Sequence, residues 1–397
     1  MKYDFTTIMD RHGHDAIAVD NPPQQPKDGF DLIPMGVADM NFATAPSILA
    51  AIRGRLEHPA FGYFNPRDEY FDAIIRWQSE RNGVTALDRS AISFHNGVLG
   101  SVASALNAMQ PHDRKVLIHA PTYTGFIGVL ENAGFELIYT QLQKDENGVW
   151  RIDPADMEAK ILEHGLTAAV FCSPHNPSGR VWEKWEIEQA MSIYEKYNMD
   201  VVSDEIWSDL VLCGHKHIPT QSVSEYARTH TAAMYAPTKT FNLAGITGSY
   251  SIIYNEDLRA RVVRQTGLSH YSNMNVLSMY ALIGAYSPEG AEWCDELREV
   301  LTGNVKFACA YIREHFKGVS VSEAEGTYML FPDCSEWCAA HGKTLDDILH
   351  AAWDKGIAFI DGRPFHGPCH LRINVALPRA RVEEAFARMD KYVFNAE

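Results

Sequence analysis

Between about residues 90 and 255 the hydrophobic positions follow two alternating periods. Short apolar runs of strand length fall at 91–94, 115–120, 135–140, 168–172, 200–203 and 231–235. Between them the apolar residues recur at helical spacing. Leu99, Val102, Ala103 and Leu106 stand at i, i+3, i+4 and i+7, as do Ile187, Ala190, Met191 and Tyr194, so both segments predict helices with one face to bury. Strands alternating with such helices predict an α/β unit built on a mostly parallel sheet flanked by helices.

After about residue 290 the pattern changes to longer amphipathic helices around a few strands near 319–322, 327–332 and 370–375, which predicts a separate, smaller α+β unit. The segment Asn21-Pro22-Pro23-Gln24-Gln25-Pro26 is neither regular helix nor central strand, because three prolines remove donors and fix φ. It reads as an arm or crossing loop. The division expected is therefore 1–45 as an arm with part of the small domain, 46–288 as the large domain, and 289–397 as the small C-terminal domain. A chain of 397 residues is too long for one ordinary core, in line with two.

Composition narrows the partners. The net charge of −16 speaks against a nucleic-acid backbone or an anionic membrane surface, either of which needs a cationic face. No apolar run is long enough to span a bilayer as a helix. Seven scattered cysteines without a C-x-x-C pair fit reduced thiols. With no apolar export segment after Met1, the expected location is cytoplasmic.

In open parallel sheets ligands collect beyond the carboxyl ends of the strands, and five such ends carry polar residues. After Ile92-Ser93-Phe94 come Asn96 and Gly97, then the first helix, where backbone N–H groups of Gly97, Val98 and Leu99 can approach an anion such as phosphate. After 116–120 comes Tyr123, an aromatic ring able to stack on a flat cofactor. After 169–172 comes the turn Ser173-Pro174-His175-Asn176-Pro177, with an amide held between two prolines. Asp204 ends the next apolar run and needs a cationic or N–H partner once buried. Thr238 and Lys239 end the last, where desolvation lowers an amine's pKa and frees a nucleophile, unless the lysine merely pairs with Asp204.

Taken in this order, Asn176, Asp204 and Lys239 resemble the fold-type I pyridoxal-phosphate family of the class I/II aminotransferase superfamily. A closer resemblance, over nearly the whole chain, is to the MalY/PatB-type cystathionine β-lyase (C–S lyase) branch. It is carried by Pro34–Phe42, Phe61-Gly62-Tyr63, Cys172–Pro177, Ser203–Asp209, Lys239–Asn242 and His370–Asn374. The resemblance implies a seven-stranded sheet, pyridoxal 5'-phosphate as cofactor, and Lys239 as its Schiff-base lysine. By the same resemblance Asp204 holds the pyridine nitrogen protonated, Asn176 bonds the phenolate oxygen and Tyr123 stacks on the ring. Gly97, Val98, Leu99 and Thr238 would grip the phosphate. Tyr63 would reach it from the second subunit of a homodimer, and Arg372 would bind the substrate α-carboxylate in a planar fork.

Three positions depart from the pattern. Gly36 stands where the branch commonly has tryptophan, which would enlarge the substrate pocket. Ala236 stands where the wider family has a phosphate-binding serine, and Trp207 where many aminotransferases have tyrosine. The histidine groups near 12–14, 215–217 and 366–370 have no four-ligand spacing, so no metal is expected. The implied activity is release of a thiol from a sulfur amino acid, with pyruvate and ammonia, in which Lys239 moves the α-proton and Tyr123 or Lys239 protonates the leaving sulfur. Two alternatives stay open: amino transfer to a 2-oxo acid, and a non-catalytic regulator that keeps an aminotransferase-like fold.

Overall fold

The computed structural model describes residues 1–395. A seven-stranded sheet runs through the middle of the chain: β1 Ile92–His95, β2 Lys115–Ala120, β3 Glu136–Gln141, β4 Ala168–Cys172, β5 Asp200–Asp204, β6 Thr231–Tyr235 and β7 Ser249–Ile252, in spatial order β1-β7-β6-β5-β4-β2-β3. Pairings among β2 to β6 are parallel, while β7 runs antiparallel to both of its neighbours, β6 and β1. Six strands stand where the apolar runs predict them. The seventh, β7, is the one the alternation does not announce, because as an antiparallel return it needs no crossover helix of its own.

Side chains alternate across each strand, and both faces are covered. Val116, Ile118, Val170 and Val202 pack under the helices Val98–Met109, Thr124–Asn132 and Glu256–Gly267. Leu117, Ala169, Phe171 and Val201 pack against Pro154–His164 and Lys184–Lys196. Asp204 shares the parity of Val202, so it lies on the face of the helix that Gly97 begins.

The C-terminal region contains the 28-residue helix Pro288–His315 and the helices Leu345–Asp354 and Arg379–Met389. Its strands are shorter than the sequence predicts. Strand 327–332 shrinks to Met329–Leu330, and 319–322 forms only an isolated bridge between Ser320 and Asp333. Strand Leu371–Asn374 is antiparallel to Met329–Leu330 and to Ile360–Asp361. Ile33–Pro34 pairs in parallel with Ile357–Ala358, so the start of the chain packs on its end. Asn21–Pro26 is irregular, as its prolines require.

Candidate active site

The carboxyl ends of β1, β4, β5 and β6 open into one cavity of about 300 Å3. The structure brings Gly97, Val98, Leu99, Tyr123, Asn176, Asp204, Thr238 and Lys239 together in its wall. Arg372 is buried beside them, with its guanidinium 4.5 Å from the ring of Phe365. Tyr63 is not brought in: it is fully exposed, next to Phe61, Phe64 and Met274 in a separate surface cleft.

Each motif has a local cause. Gly97 caps the helix Val98–Met109 with φ 128°, a backbone angle that a side chain would strain. Asn176 sits in a turn closed by the His175 and Gly179 N–H groups, donated to Arg180 O and His175 O at 2.8 Å. Arg180 anchors that turn from behind, in a buried cluster with Glu186 and Glu325. Lys239 donates to the carbonyl of Ala38 at 2.9 Å. That segment is in turn fixed by Asn374, whose side-chain amide donates to Val37 O and Asp39 O at 2.7 and 2.6 Å. Asn242 donates to the carbonyls of Met40 and Phe42 at 2.9 and 3.1 Å. The stretches around 34–42, 239–242 and 370–374 thus form one hydrogen-bonded wall.

Gly36 does not enlarge the pocket. A Cβ there would lie 2.9 Å from both Ala358 O and Ile360 Cγ1, so the space is already filled. Its carbonyl accepts from Arg372 Nη2 at 3.0 Å. Trp207 is buried edge-on to Tyr328, with ring centroids 4.9 Å apart, and the Lys239 amine lies 5.8 Å from its ring centre.

Electrostatics follow from burial. Desolvation pushes Asp204 up to about 7, opposed by the Ile206 N–H bonded to its Oδ1 at 3.0 Å; neighbouring Glu205 adds to the rise and Lys239 opposes it. Desolvation and then the nearby Arg372 charge bring Lys239 down to about 8, against the pull of Asp39 and Asp204. Arg372 itself is lowered to about 10 by burial. Tyr123 is raised, chiefly by burial, so its hydroxyl keeps its proton at neutral pH.

Three groups in or beside the cavity are under-satisfied. Asp204 is buried as an acid with the Ile206 N–H on Oδ1 and no cation bonded to it. Asn176 Oδ1 is buried with no hydrogen-bond partner among the described residues, and so are Nε and Nη1 of Arg372. A flat heteroaromatic carrying a protonated ring nitrogen suits Asp204, its oxyanion suits the side-chain N–H of Asn176, and a carboxylate suits the Nε and Nη1 donors of Arg372. The donor set therefore fits pyridoxal 5'-phosphate. The sequence did not single out Ala38, Thr247 or Tyr271, which also line the cavity. They come from loops with no periodicity to mark them. No group of His, Cys, Asp or Glu able to hold a metal occurs among the described residues.

The fold and this site define a class. The chain belongs to the family described as aminotransferase class I and II, which it matches over residues 31–389. Among characterised relatives, it is 31% identical to Protein MalY of Escherichia coli, covering 97% of both chains. It is 30% identical to cystathionine beta-lyase PatB of Bacillus subtilis, covering 90% of this chain and 92% of PatB. A pyridoxal-phosphate-bound structure from Clostridium difficile 630, provisionally assigned as an aminotransferase, superposes with a TM-score of 0.91 at 33% identity over 98% and 99% of the two chains.

Proposed function

We propose that the protein is a pyridoxal-phosphate-dependent C–S β-lyase that releases a thiol from a sulfur amino acid, leaving pyruvate and ammonia. The observation that carries the reading is the cavity in which a buried lysine, a buried acid and the Asn176 amide converge beside an arginine whose Nε and Nη1 have no partner among the described residues. The activity named for PatB supports it.

Lys239 would attach the cofactor, Asp204 and Asn176 would hold its ring nitrogen and phenolate oxygen, and the N–H groups at Val98 and Leu99, with Thr238, would hold its phosphate. When bound, the cofactor supplies an electron sink for a carbanion at the substrate Cα. Arg372 binds the α-carboxylate with its guanidinium, whose Nη1 has no partner among the described residues, while Gly36 O accepts one Nη2 hydrogen and so fixes the plane of the group. Lys239, once free as an amine, takes the Cα proton. In the cofactor-free protein burial already brings this amine down to about 8, so more of it is neutral near pH 7 than of an unperturbed lysine. The β-carbon–sulfur bond then breaks with both electrons on sulfur. A proton reaches the leaving thiolate from the Lys239 ammonium or from Tyr123, which keeps its proton in this pH range. Water completes release of pyruvate and ammonia.

The provisional assignment of the Clostridium difficile neighbour favours a second reading, amino transfer, which uses the same residues up to the loss of the Cα proton. Cofactor-loaded protein given L-cystathionine without a 2-oxo acid should release pyruvate and free thiol in equal amounts. No pyruvate, followed by amino transfer once a 2-oxo acid is added, would replace the lyase reading with the aminotransferase one. We also propose a cytoplasmic homodimer in which Tyr63 completes the partner's site; no helix among the described residues is long and apolar enough to cross a membrane.

A further inference from the structure

The end of the cavity that would take the phosphate is poor in cations. Among the described residues lining the cavity, Lys239 is the one lysine or arginine, and the reading above commits it to the cofactor's other end. A phosphate dianion there depends on backbone N–H groups and hydroxyls, so the direction of each N–H matters.

The loop around residue 271 is stitched to the turn that supplies those N–H groups. The Asn96 N–H donates to Tyr271 O at 3.1 Å, and the Asn96 side chain donates to Asn273 O, also at 3.1 Å. The Tyr271 hydroxyl donates to Gly97 O at 2.9 Å. That carbonyl also accepts from Ser101 Oγ at 2.7 Å and from Ser101 N at 3.3 Å. The Gly97 N–H is taken by Ser249 Oγ at 3.2 Å.

Gly97 O and the Val98 N–H belong to one planar trans peptide and point in opposite directions, so fixing the oxygen fixes the N–H. Hydrogen bonds received by the oxygen also polarise the peptide and make its N–H a stronger donor. Val98 is the first residue of the helix, and its N–H has no intrahelical acceptor. Tyr271 has a single hydroxyl proton, already given to Gly97 O, so it acts through that peptide and not as a phosphate donor itself. Gly100 makes room for it: a Cβ there would lie 2.2 Å from Tyr271 Cζ.

We infer that Tyr271 is a positioning residue for the phosphate end of the cofactor, aiming the Val98 N–H by clamping Gly97 O, with Gly100 kept bare so that the clamp can close. This deepens the proposed function and rests on it.

The test is a titration of the full-length protein, stripped of cofactor, with pyridoxal 5'-phosphate and separately with pyridoxal. Binding is followed by visible absorbance and by quenching of tryptophan emission, Trp207 being in the cavity wall. Tyr271→Phe should bind the phosphate form about tenfold more weakly and pyridoxal unchanged, and the phosphorus NMR resonance of the loaded variant should move. Gly100→Ala, which drives the ring off Gly97, should lose the same discrimination and serves if the phenylalanine variant folds poorly. Wild-type discrimination in both variants, or equal weakening toward both ligands, overturns the inference while leaving the function standing. Failure of the wild-type protein to bind either ligand would instead sink the function, and this inference with it.

Discussion

Asp204 shows how a single residue ties sequence to chemistry. An aspartate at the end of an apolar strand needs a partner once buried, and the structure gives it only the Ile206 N–H besides the neighbouring charges. Its folded pKa of about 7 lies above that of an unfolded aspartate, near 3.9. The folded protein without cofactor therefore keeps a proton that the unfolded chain gives up as pH rises above about 4. The contribution of this group is full below that pH and is lost as pH climbs toward 7, by on the order of 1.4 kcal/mol per unit. Urea unfolding of cofactor-free protein at pH 5 and pH 8 should show Asp204→Asn gaining more stability over wild type at pH 8 than at pH 5, by about 3 kcal/mol. An equal difference at both pH values would mean that burial does not hold the proton. Asn176 was legible for the same reason, since it follows a recognisable apolar run, whereas Arg372 lies inside the strand Leu371–Asn374 and was marked only by the family resemblance. Ala38 acts through its backbone carbonyl and was not legible, because that group carries no side-chain signature.

At the scale of elements, β1 to β6 could be read because each is a buried apolar run bounded by turn residues and followed by a helix-period segment or the next motif. β7 could not, being four residues of alternating serine and larger side chains whose place is set by β6 and β1 on either side. The strands expected at 319–322 and 327–332 shorten because their backbone groups pair with loops: Ser320 exchanges both of its bonds with Asp333, and Thr327 N donates to Leu210 O at 2.8 Å. The turn carrying Asn176 depends on a cluster that sequence did not reveal. The side chains of Arg180 and Glu186 are 2% and 1% exposed and paired to each other, and Glu325 joins them from the C-terminal region. Removing Arg180 leaves the buried Glu186 with Arg151, at 3.1 Å, as its remaining cationic partner. Arg180→Leu should destabilise the protein by about 3 kcal/mol and weaken cofactor binding by loosening Asn176. Arg180→Leu with Glu186→Leu should recover part of the stability. Chemical denaturation of the three proteins checks this, and a double variant no more stable than the single would show that the pair is not the cause.

At the scale of the molecule, the unexplained feature is the exposed segment around Tyr63. Phe61, Tyr63 and Phe64 stand out from the surface, which is unfavourable for an isolated chain and intelligible if a second copy covers them. The proposed homodimer makes a quantitative demand through its symmetry. If Tyr63 completes the site of the other subunit, a hybrid of one Lys239→Ala chain and one Tyr63→Ala chain has one site with both residues intact and one with neither. Each variant alone should be nearly inactive, the first wholly and the second by about tenfold or more if it loses its phosphate hold. Random reassortment of equal amounts makes half of the dimers hybrids, so the mixture should regain roughly a quarter of wild-type activity. Pyruvate release after unfolding and refolding the mixture measures it. Activity that stays at the average of the two variants would mean that each chain builds its site alone, and the role of Tyr63 would then have to be sought on its own surface.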